Sequence, residues 1–120
     1  MRPLSLEEFT ARLSQEEVEF ADTLNLIDAL YDYHPCAFRS GLGDDLFENP
    51  AGQNQGACKV FAFGLINNLI DEAVLAAFGE HYRAVLADPD GNDHRNIRNF
   101  MAYGWGGIEF DDMPLRPKAH

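Results

Sequence analysis

The stretch Asp93–Phe110, which reads DHRNIRNFMAYGWGGIEF, concentrates side chains that could do chemistry. It contains His94, two arginines, two asparagines and Trp105, the only tryptophan of the chain. Histidine can act as a base or a ligand, arginine offers a fork of donors to an anion, and tryptophan provides a flat stacking surface. These residue types are compatible with two interpretations. They form a reaction or binding site, or they form a hydrogen-bond network that holds the end of a small domain in place.

An enzyme hypothesis depends on Cys58, which lies in the first turn of a predicted helix that starts after Asn54. A helix start can lower the pKa of a thiol and make it nucleophilic. With His94 as base and Asp93 or Asn54 as the orienting group, Cys58 could act in a cysteine hydrolase or transferase. The alternative interpretation of Cys58 is a small buried side chain.

A binding hypothesis gathers polar side chains around a pocket between the central helix, the last helix and the loop of residues 36–55. A polar or anionic small molecule would suit such a pocket, because arginine and asparagine hydrogen-bond it and tryptophan stacks on it. A protein partner is the other candidate ligand. The predicted ligand-binding residues, besides His94, are Asn54, Lys59, Tyr82, Arg83, Arg98 and Trp105.

A metal hypothesis would use His34, His81, His94 and the cysteines. The sequence contains no HxxxH, HExxH or CxxC arrangement, so we predict neither a metal site nor a cofactor. The turn at Asp88–Asp93 resembles the start of a calcium loop, but Asp93 stands where the loop requires glycine.

A structural interpretation competes with all three hypotheses. Here the polar cluster is a hydrogen-bond network in which Asn96 and Asn99 hold loop carbonyls, Arg98 pairs with an acidic residue, and Trp105 fills the core.

Composition limits the classes of function. Twenty acidic residues against nine basic ones give a net charge of -11, which disfavours nucleic acid and anionic membranes as partners. The sequence has no apolar run long enough for a membrane span and no secretory signal pattern. We expect residues 1–120 to form one soluble domain with free thiols at Cys36 and Cys58.

The predicted fold is mainly α (α+β), with about five helices around a buried central helix and a small antiparallel β element. Capping boxes at Ser5–Glu8 and Ser14–Glu17 start the first two helices, and the second continues to about Tyr33. Residues 57–69 are apolar on nearly every face and predict the central helix. The fourth helix is capped by Asp71, and the fifth by Asn92 or Asp93 with Gly104 as its stop.

Short strands or turns are predicted in the long loop, and a short strand is predicted near the end of the chain. Residues 36–55 are rich in turn formers but carry apolar residues at Phe38 and at Leu46 and Phe47, so we expect short strands or turns there and treat the loop as a candidate wall of the site. Ile108–Phe110 alternates like a strand and can pair with one of them. The sequence PLRPKAH that follows is predicted to be a polar tail.

Several long motifs resemble the HopJ type III effector family. They are YDYHPCAF, NPAGQNQGACKVFAF and AFGEHYRAVLADPDGNDHRNIRNFMAYGWGGIEF, and the resemblance as a whole covers about residues 18–110. Ala57 stands where family members often have serine, which argues against a hydroxyl nucleophile there. The resemblance implies a family but no particular reaction.

The family name also implies secretion into a host cell. Because Ser5 already starts a predicted helix, almost no leader precedes the domain, and we expect a protein of the bacterial cytoplasm rather than a secreted effector. The enzyme hypothesis and the binding hypothesis share one geometric requirement. The start of the central helix must lie beside the start of the last helix.

Overall fold

The fold is seen in a computed structural model that describes residues 6–14 and 18–118. Within these ranges the helices are α1 (Leu6–Ser14), α2 (Phe20–Leu30), α3 (Gln55–Ile66), α4 (Asp71–Ala77), α5 (Glu80–Ala87) and α6 (Arg95–Tyr103). The strands are β1 (Tyr31–Tyr33), β2 (Phe38–Ser40), β3 (Phe47–Asn49), β4 (Glu109–Phe110) and β5 (Leu115–Pro117). The predicted mainly helical α+β class is confirmed, with one helix more than expected. None of the described helices has the length and apolar character needed to cross a membrane.

Helix α3 lies in the core, as its apolar pattern predicts. Its residues from Val60 to Gly64 are all buried. Phe63 packs edge-on against Phe9 of α1 at 5.8 Å between ring centroids, and Phe61 lies 5.3 Å from Phe100 of α6. Each fully buried phenylalanine contributes about 1.5–3 kcal/mol. The central helix is therefore the scaffold on which the helices around it are placed.

The helix predicted from Asp71 is divided into α4 and α5 at Gly79. Ile70, not Asp71, is the N-cap residue of α4, so the predicted cap is wrong by one position. Gly79 has a φ of +59°, and a Cβ atom there would lie 2.5 Å from the backbone nitrogen of Phe20. The backbone at the start of α2 passes directly beside Gly79. Only a residue without a side chain fits at this position.

The start of α2 differs from the prediction. The predicted capping boxes fall partly on residues 5 and 15–17, which lie outside the described ranges, but Ser14 is the last residue of α1. Helix α2 begins instead at Phe20 with Glu19 as its N-cap residue. The backbone N–H of Glu19 donates to the Asp22 carboxylate at 3.1 Å, so a local acidic pair starts this helix.

Two predictions are wrong for one reason: the predicted end of α2 and the predicted polar tail are strands that pair with each other. Tyr31–Tyr33 is not helical but forms β1, which pairs antiparallel with Leu115–Pro117. Leu115 is buried in the core. The last segment of the described chain is therefore partly a strand, because Leu115 gains an apolar contact only if the segment folds back onto the domain.

The loop of residues 36–55 forms a strand at each of the two positions where short strands or turns were predicted. Strand β2 pairs antiparallel with β3, with Phe38 opposite Asn49. Strand β4 pairs with the other edge of β2, so Phe38 also lies opposite Phe110. This three-stranded sheet fixes the long loop against the helices.

Candidate functional site

The starts of α3 and α6 lie side by side around a cavity of about 520 Å³, which we call the first cavity. This confirms the geometric demand made by the sequence-based site hypotheses. Its apolar wall consists of Phe20, Phe47, Ala57, Phe78 and Ile97. Its polar lining consists of Asn54, His81, Asn92, His94, Arg95 and Asn96. Because Phe47 and Asn54 come from residues 36–55, this loop forms part of the wall as predicted.

Both helix starts have an N-cap residue in the left-handed conformation. Asn54 has φ 51° and ψ 45°, and His94 has φ 48° and ψ 48°. The N-cap predicted at Asn92 or Asp93 is therefore wrong, because the helix starts one or two residues later. Non-glycine residues are uncommon in this region of backbone conformation and often occur at functional sites. Neither N-cap side chain caps its helix.

A buried amide network joins the two helix starts. Asn49 of β3 and Asn96 of α6 face each other, and the Nδ2 of each donates to the Oδ1 of the other at 3.0 and 2.8 Å. Asn54 donates to the same Oδ1 of Asn49 at 2.7 Å, and the Ser40 hydroxyl donates to Asn96 at 2.6 Å. No buried side-chain polar atom of the described residues lacks a partner. The network forms a fixed floor below the first cavity.

The structural interpretation of Asn99 and Arg98 is confirmed. Asn99 donates to the backbone oxygens of Ser40 and Asp45 at 3.2 and 3.0 Å, so it holds loop carbonyls. Arg98 donates to the Asp93 carboxylate at 2.7 Å, which holds the pKa of Asp93 below its ordinary value. Arg98 also binds carbonyls of the preceding turn. Arg98 and Asp93 are therefore occupied with each other and do not line the first cavity.

Trp105 is partly buried and packs against the core rather than filling it, so the structural interpretation of Trp105 holds in part. Its ring lies 5.1 Å from that of Phe100 in an edge-on arrangement. Its Nε1 donates to the backbone oxygen of Leu69 at 3.2 Å. A Cβ atom on Gly64 would lie 3.2 Å from the indole, so the ring packs directly on the central helix. Trp105 is not part of the first cavity.

His81 lies beside His94 in the first cavity, although the sequence suggested it only as a scattered metal ligand. The two ring centroids are 5.0 Å apart, and Phe20 packs edge-on against His81 at 4.7 Å. Neither imidazole hydrogen-bonds to another described residue. The turn between α5 and α6 brings the two rings together, and no sequence spacing signals this contact.

Arg95 is the second lining residue that sequence reasoning missed. Its guanidinium makes no hydrogen bond to another described residue, and its ion pair with Asp45 spans 3.9 Å. It lies over the ring of Phe47 at 5.8 Å. By contrast, Arg39 contacts two carboxylates at 3.1 and 2.8 Å. Arg95 thus has donors that remain open toward the cavity.

Cys58 does not line the first cavity, and its predicted activation is wrong. Successive helix residues point about 100° apart, so Ala57 lines the cavity whereas Cys58 lies against Tyr33 and Cys36. The Cys58 sulfur is 3.9 Å from the backbone oxygen of Cys36. Burial raises the pKa of Cys58 to about 11, opposite to the lowering expected at a helix start. The geometry therefore gives no support to a Cys58 and His94 pair.

Three other predicted ligand-binding residues lie away from the first cavity. Lys59 pairs with Asp28 at 2.8 Å and covers the ring of Tyr33. Tyr82 and Arg83 line a second cavity of about 590 Å³ between α1, α4 and α5. Of the residues predicted to bind a ligand, the structure brings only Asn54 and His94 together at the first cavity.

The histidines and cysteines do not form a metal-binding cluster within the described ranges. No group of three or more His, Cys, Asp or Glu side chains there is arranged to hold an ion. His81 and His94 are adjacent, whereas His34 belongs to the exposed segment after β1.

Comparisons with known proteins extend over nearly the whole chain. The crystal structure of VPA0580, a protein of unknown function, matches with a TM-score of 0.88 and 45% sequence identity, covering 98% of this chain and 97% of that one. No curated protein matches. The family described as HopJ type III effector protein matches residues 6–115. The resemblance seen in the motifs is confirmed, and this chain belongs to the HopJ family.

Proposed function

We propose that the first cavity binds a small polar molecule. The proposal is carried by one observation: His81, His94 and Arg95 face a common space with donors that no other described residue satisfies. His94 is exposed and His81 and Arg95 are partly exposed, so their donors face the solvent-filled cavity and are accessible to a ligand. The volume of about 520 Å³ suits a small molecule, and such sites combine an apolar wall with a few polar groups.

A cavity-filling variant tests this proposal even while the ligand is unidentified. Ala57 lines the first cavity and is half-buried, so Ala57→Phe fills it. Ala84→Phe is the matched control, because Ala84 is exposed on α5 and lines neither cavity. The measurement is a thermal-shift screen of a metabolite panel against all three proteins.

A bound compound at one hundred times its Kd adds about 2.7 kcal/mol of stability. We expect at least one compound to raise the melting temperature of the native chain and of Ala84→Phe, but not of Ala57→Phe. A panel in which no compound shows this dependence on Ala57 would contradict the proposal.

The family description supports a second candidate, a secreted effector that acts in a host cell. The first candidate instead has the protein bind a metabolite in the bacterial cytoplasm. A fusion to a reporter enzyme that is active only in host cytosol separates the two. A reporter signal that requires a working type III secretion system favours the effector role, and a signal absent with and without that system favours the bacterial cytoplasm.

A further inference from the structure

We infer that the ligand of the first cavity is a small organic anion, with an oxyanion group held by Arg95, His81 and His94 and an apolar body against the phenylalanine wall. This inference rests on the proposed function and specifies the chemical class of its ligand.

The residues that line the first cavity differ in charge from the chain as a whole. The sequence has twenty acidic residues among 120 and a net charge of -11. None of the described residues that line the cavity is acidic, whereas Arg95 and two imidazoles are among them. An acid-free lining with a guanidinium is the kind of local environment that stabilises an anion despite a repulsive overall charge.

The carboxylate nearest to Arg95 is already occupied. Asp45 is 3.9 Å from the guanidinium, and its other oxygen accepts the Tyr103 hydroxyl at 2.6 Å. This hydrogen bond raises the pKa of Tyr103, because ionisation of the phenol would put a second negative charge beside the carboxylate. Asp45 therefore leaves most of the Arg95 donors open to an oxyanion.

The carboxylates of Glu80 and Asp93 are close enough to His81 and His94 to attract them electrostatically, but their hydrogen bonds go to other groups. Glu80 accepts the backbone N–H of Phe20 at 2.7 Å, and Asp93 accepts from Arg98 at 2.7 Å. No carboxylate is hydrogen-bonded to either ring within the described ranges. Because an imidazole has a donor nitrogen whether neutral or protonated, His81 and His94 can each donate to an oxyanion.

The apolar wall indicates that the ligand is more than an inorganic ion. Phe20 and Phe78 stack with ring planes 8° apart and centroids 6.0 Å apart, and Phe47 lies under the Arg95 guanidinium. Bare phosphate would leave the exposed parts of the Phe20 and Phe47 rings against water, whereas Phe78 is already buried by the protein. A ligand with an apolar part covers those exposed parts and gains the free energy of that burial.

The inference is tested by titrating isotopically labelled protein with four defined probes and following backbone amide resonances. Phenyl phosphate and benzoate carry an oxyanion and an apolar ring. Benzyl alcohol lacks the charge, and inorganic phosphate lacks the ring. We expect at least one of the two aromatic anions to shift the resonances of Gly56, Ala57, Arg95 and Asn96, and to bind more tightly than both incomplete probes.

Charge variants distinguish this site from general attraction to a cation. Arg95→Gln is expected to weaken binding of the aromatic anion by roughly tenfold or more, as for the loss of a hydrogen bond to a charged group. Arg95→Lys should restore part of the affinity, and Arg116→Gln, at an exposed position of β5, should leave it unchanged. Circular dichroism checks that each variant is folded.

Two results would overturn the inference while leaving the proposed function intact. One is equal binding of benzyl alcohol at the same resonances. The other is an Ala57-dependent metabolite whose affinity Arg95→Gln does not change. If no probe moves these resonances and the metabolite panel also fails, both the inference and the proposed function are wrong.

Discussion

The two cavities differ in what their arginines do. Arg83 at the second cavity is held by Glu19, with its Nη2 at 2.9 and 3.0 Å from the two carboxylate oxygens. Arg95 at the first cavity has no hydrogen bond to another described residue and only a 3.9 Å ion pair with Asp45. The second cavity is otherwise largely apolar, with Leu13, Leu69, Ile70 and Leu86 among its described lining residues.

This difference shows that residue type alone does not identify a binding arginine. Arg83 and Arg95 both follow the start of a helix, and the sequence favoured Arg83 as the ligand-binding residue. A tertiary partner decides the outcome, because Glu19 occupies Arg83 whereas Asp45 is turned toward Tyr103. A guanidinium satisfied by the fold has less to offer a ligand than one that is not.

The variant with the largest expected effect is Asn96→Ala. It tests whether the amide network holds the floor of the first cavity in place, a feature in which the two cavities would differ. Asn96→Ala removes a partner of both Asn49 and Ser40, which are buried. Each buried group left unpaired costs about 1–3 kcal/mol, so we expect a loss of roughly 3 kcal/mol in the free energy of unfolding. Urea denaturation measures this loss.

Asn92→Ala is the matched control for that variant. Asn92 also lines the first cavity, but it has no side-chain hydrogen bond to another described residue. Its loss should change stability by less than about 0.5 kcal/mol. Equal effects of the two substitutions would mean that the amide network does not hold the floor.

A second prediction compares a glycine of each cavity, since both contact Phe20. A Cβ on Gly79, at the second cavity, would lie 2.5 Å from the Phe20 backbone nitrogen, and its φ is +59°. A Cβ on Gly56, at the first, would lie 2.6 Å from the end of the Phe20 ring. Because backbone cannot yield as a ring can, we expect Gly79→Ala to cost about 2 kcal/mol more than Gly56→Ala.

Chemical denaturation of the two glycine variants provides the measurement. Gly106→Ala, where an added Cβ meets nothing within 4 Å, is the control and should be nearly neutral. A larger cost at Gly56 than at Gly79 would mean that the Phe20 ring is fixed and that the first cavity is the more rigid of the two.

The sequence is informative where local pattern decides the structure. The apolar run of α3, the strands at Phe38 and Phe47, and the stop at Gly104 all follow from residue type and spacing. The break at Gly79 does not, because the cause is the Phe20 backbone on another helix. Strand β5 escapes prediction for the same reason, since its partner β1 has the pattern of a helix end.

The site is predictable as a location but less so as a set of residues. Hydrophobic pattern and capping signals place the starts of α3 and α6 well enough to expect their meeting. Which side chains remain free to bind a ligand there depends on hydrogen-bond partners from other parts of the sequence. Arg98 is occupied by Asp93, whereas Arg95 has no close partner, although both arginines belong to the same helix.

A third prediction tests whether the two faces of α3 are chemically separate, with Ala57 toward the first cavity and Cys58 away from it. The folded-state pKa of Cys58 is about 11, raised by burial from an ordinary value of 9.0. The unfolded chain ionises this thiol first as pH rises, so the stability contributed by the protonated thiol is present below about pH 9 and is lost toward pH 11.

The measurement is the free energy of unfolding across that pH window. Cys58→Ala should be less stable overall, but its stability should fall less steeply with pH than that of the native chain. Iodoacetamide should also modify Cys58 more slowly than an exposed model thiol at neutral pH, since little thiolate is present. Rapid alkylation at neutral pH would restore the nucleophile hypothesis.

The smallest expected effect compares the two arginines directly. Arg83→Gln and Arg95→Gln each remove one positive charge, so the change in net charge is the same for both. Arg83→Gln loses a partly exposed ion pair with Glu19, which is worth about 0.5 kcal/mol. Arg95→Gln loses a 3.9 Å contact with Asp45 and a 5.8 Å contact with the Phe47 ring, both weak, and should be nearly neutral. Urea denaturation at low salt should resolve this difference, and high salt should reduce it because exposed charges are screened. If Arg95→Gln costs as much stability as Arg83→Gln, then Arg95 stabilises the fold as Arg83 does. The two cavities would then not differ in this respect, and there would be no reason to regard Arg95 as available to a ligand.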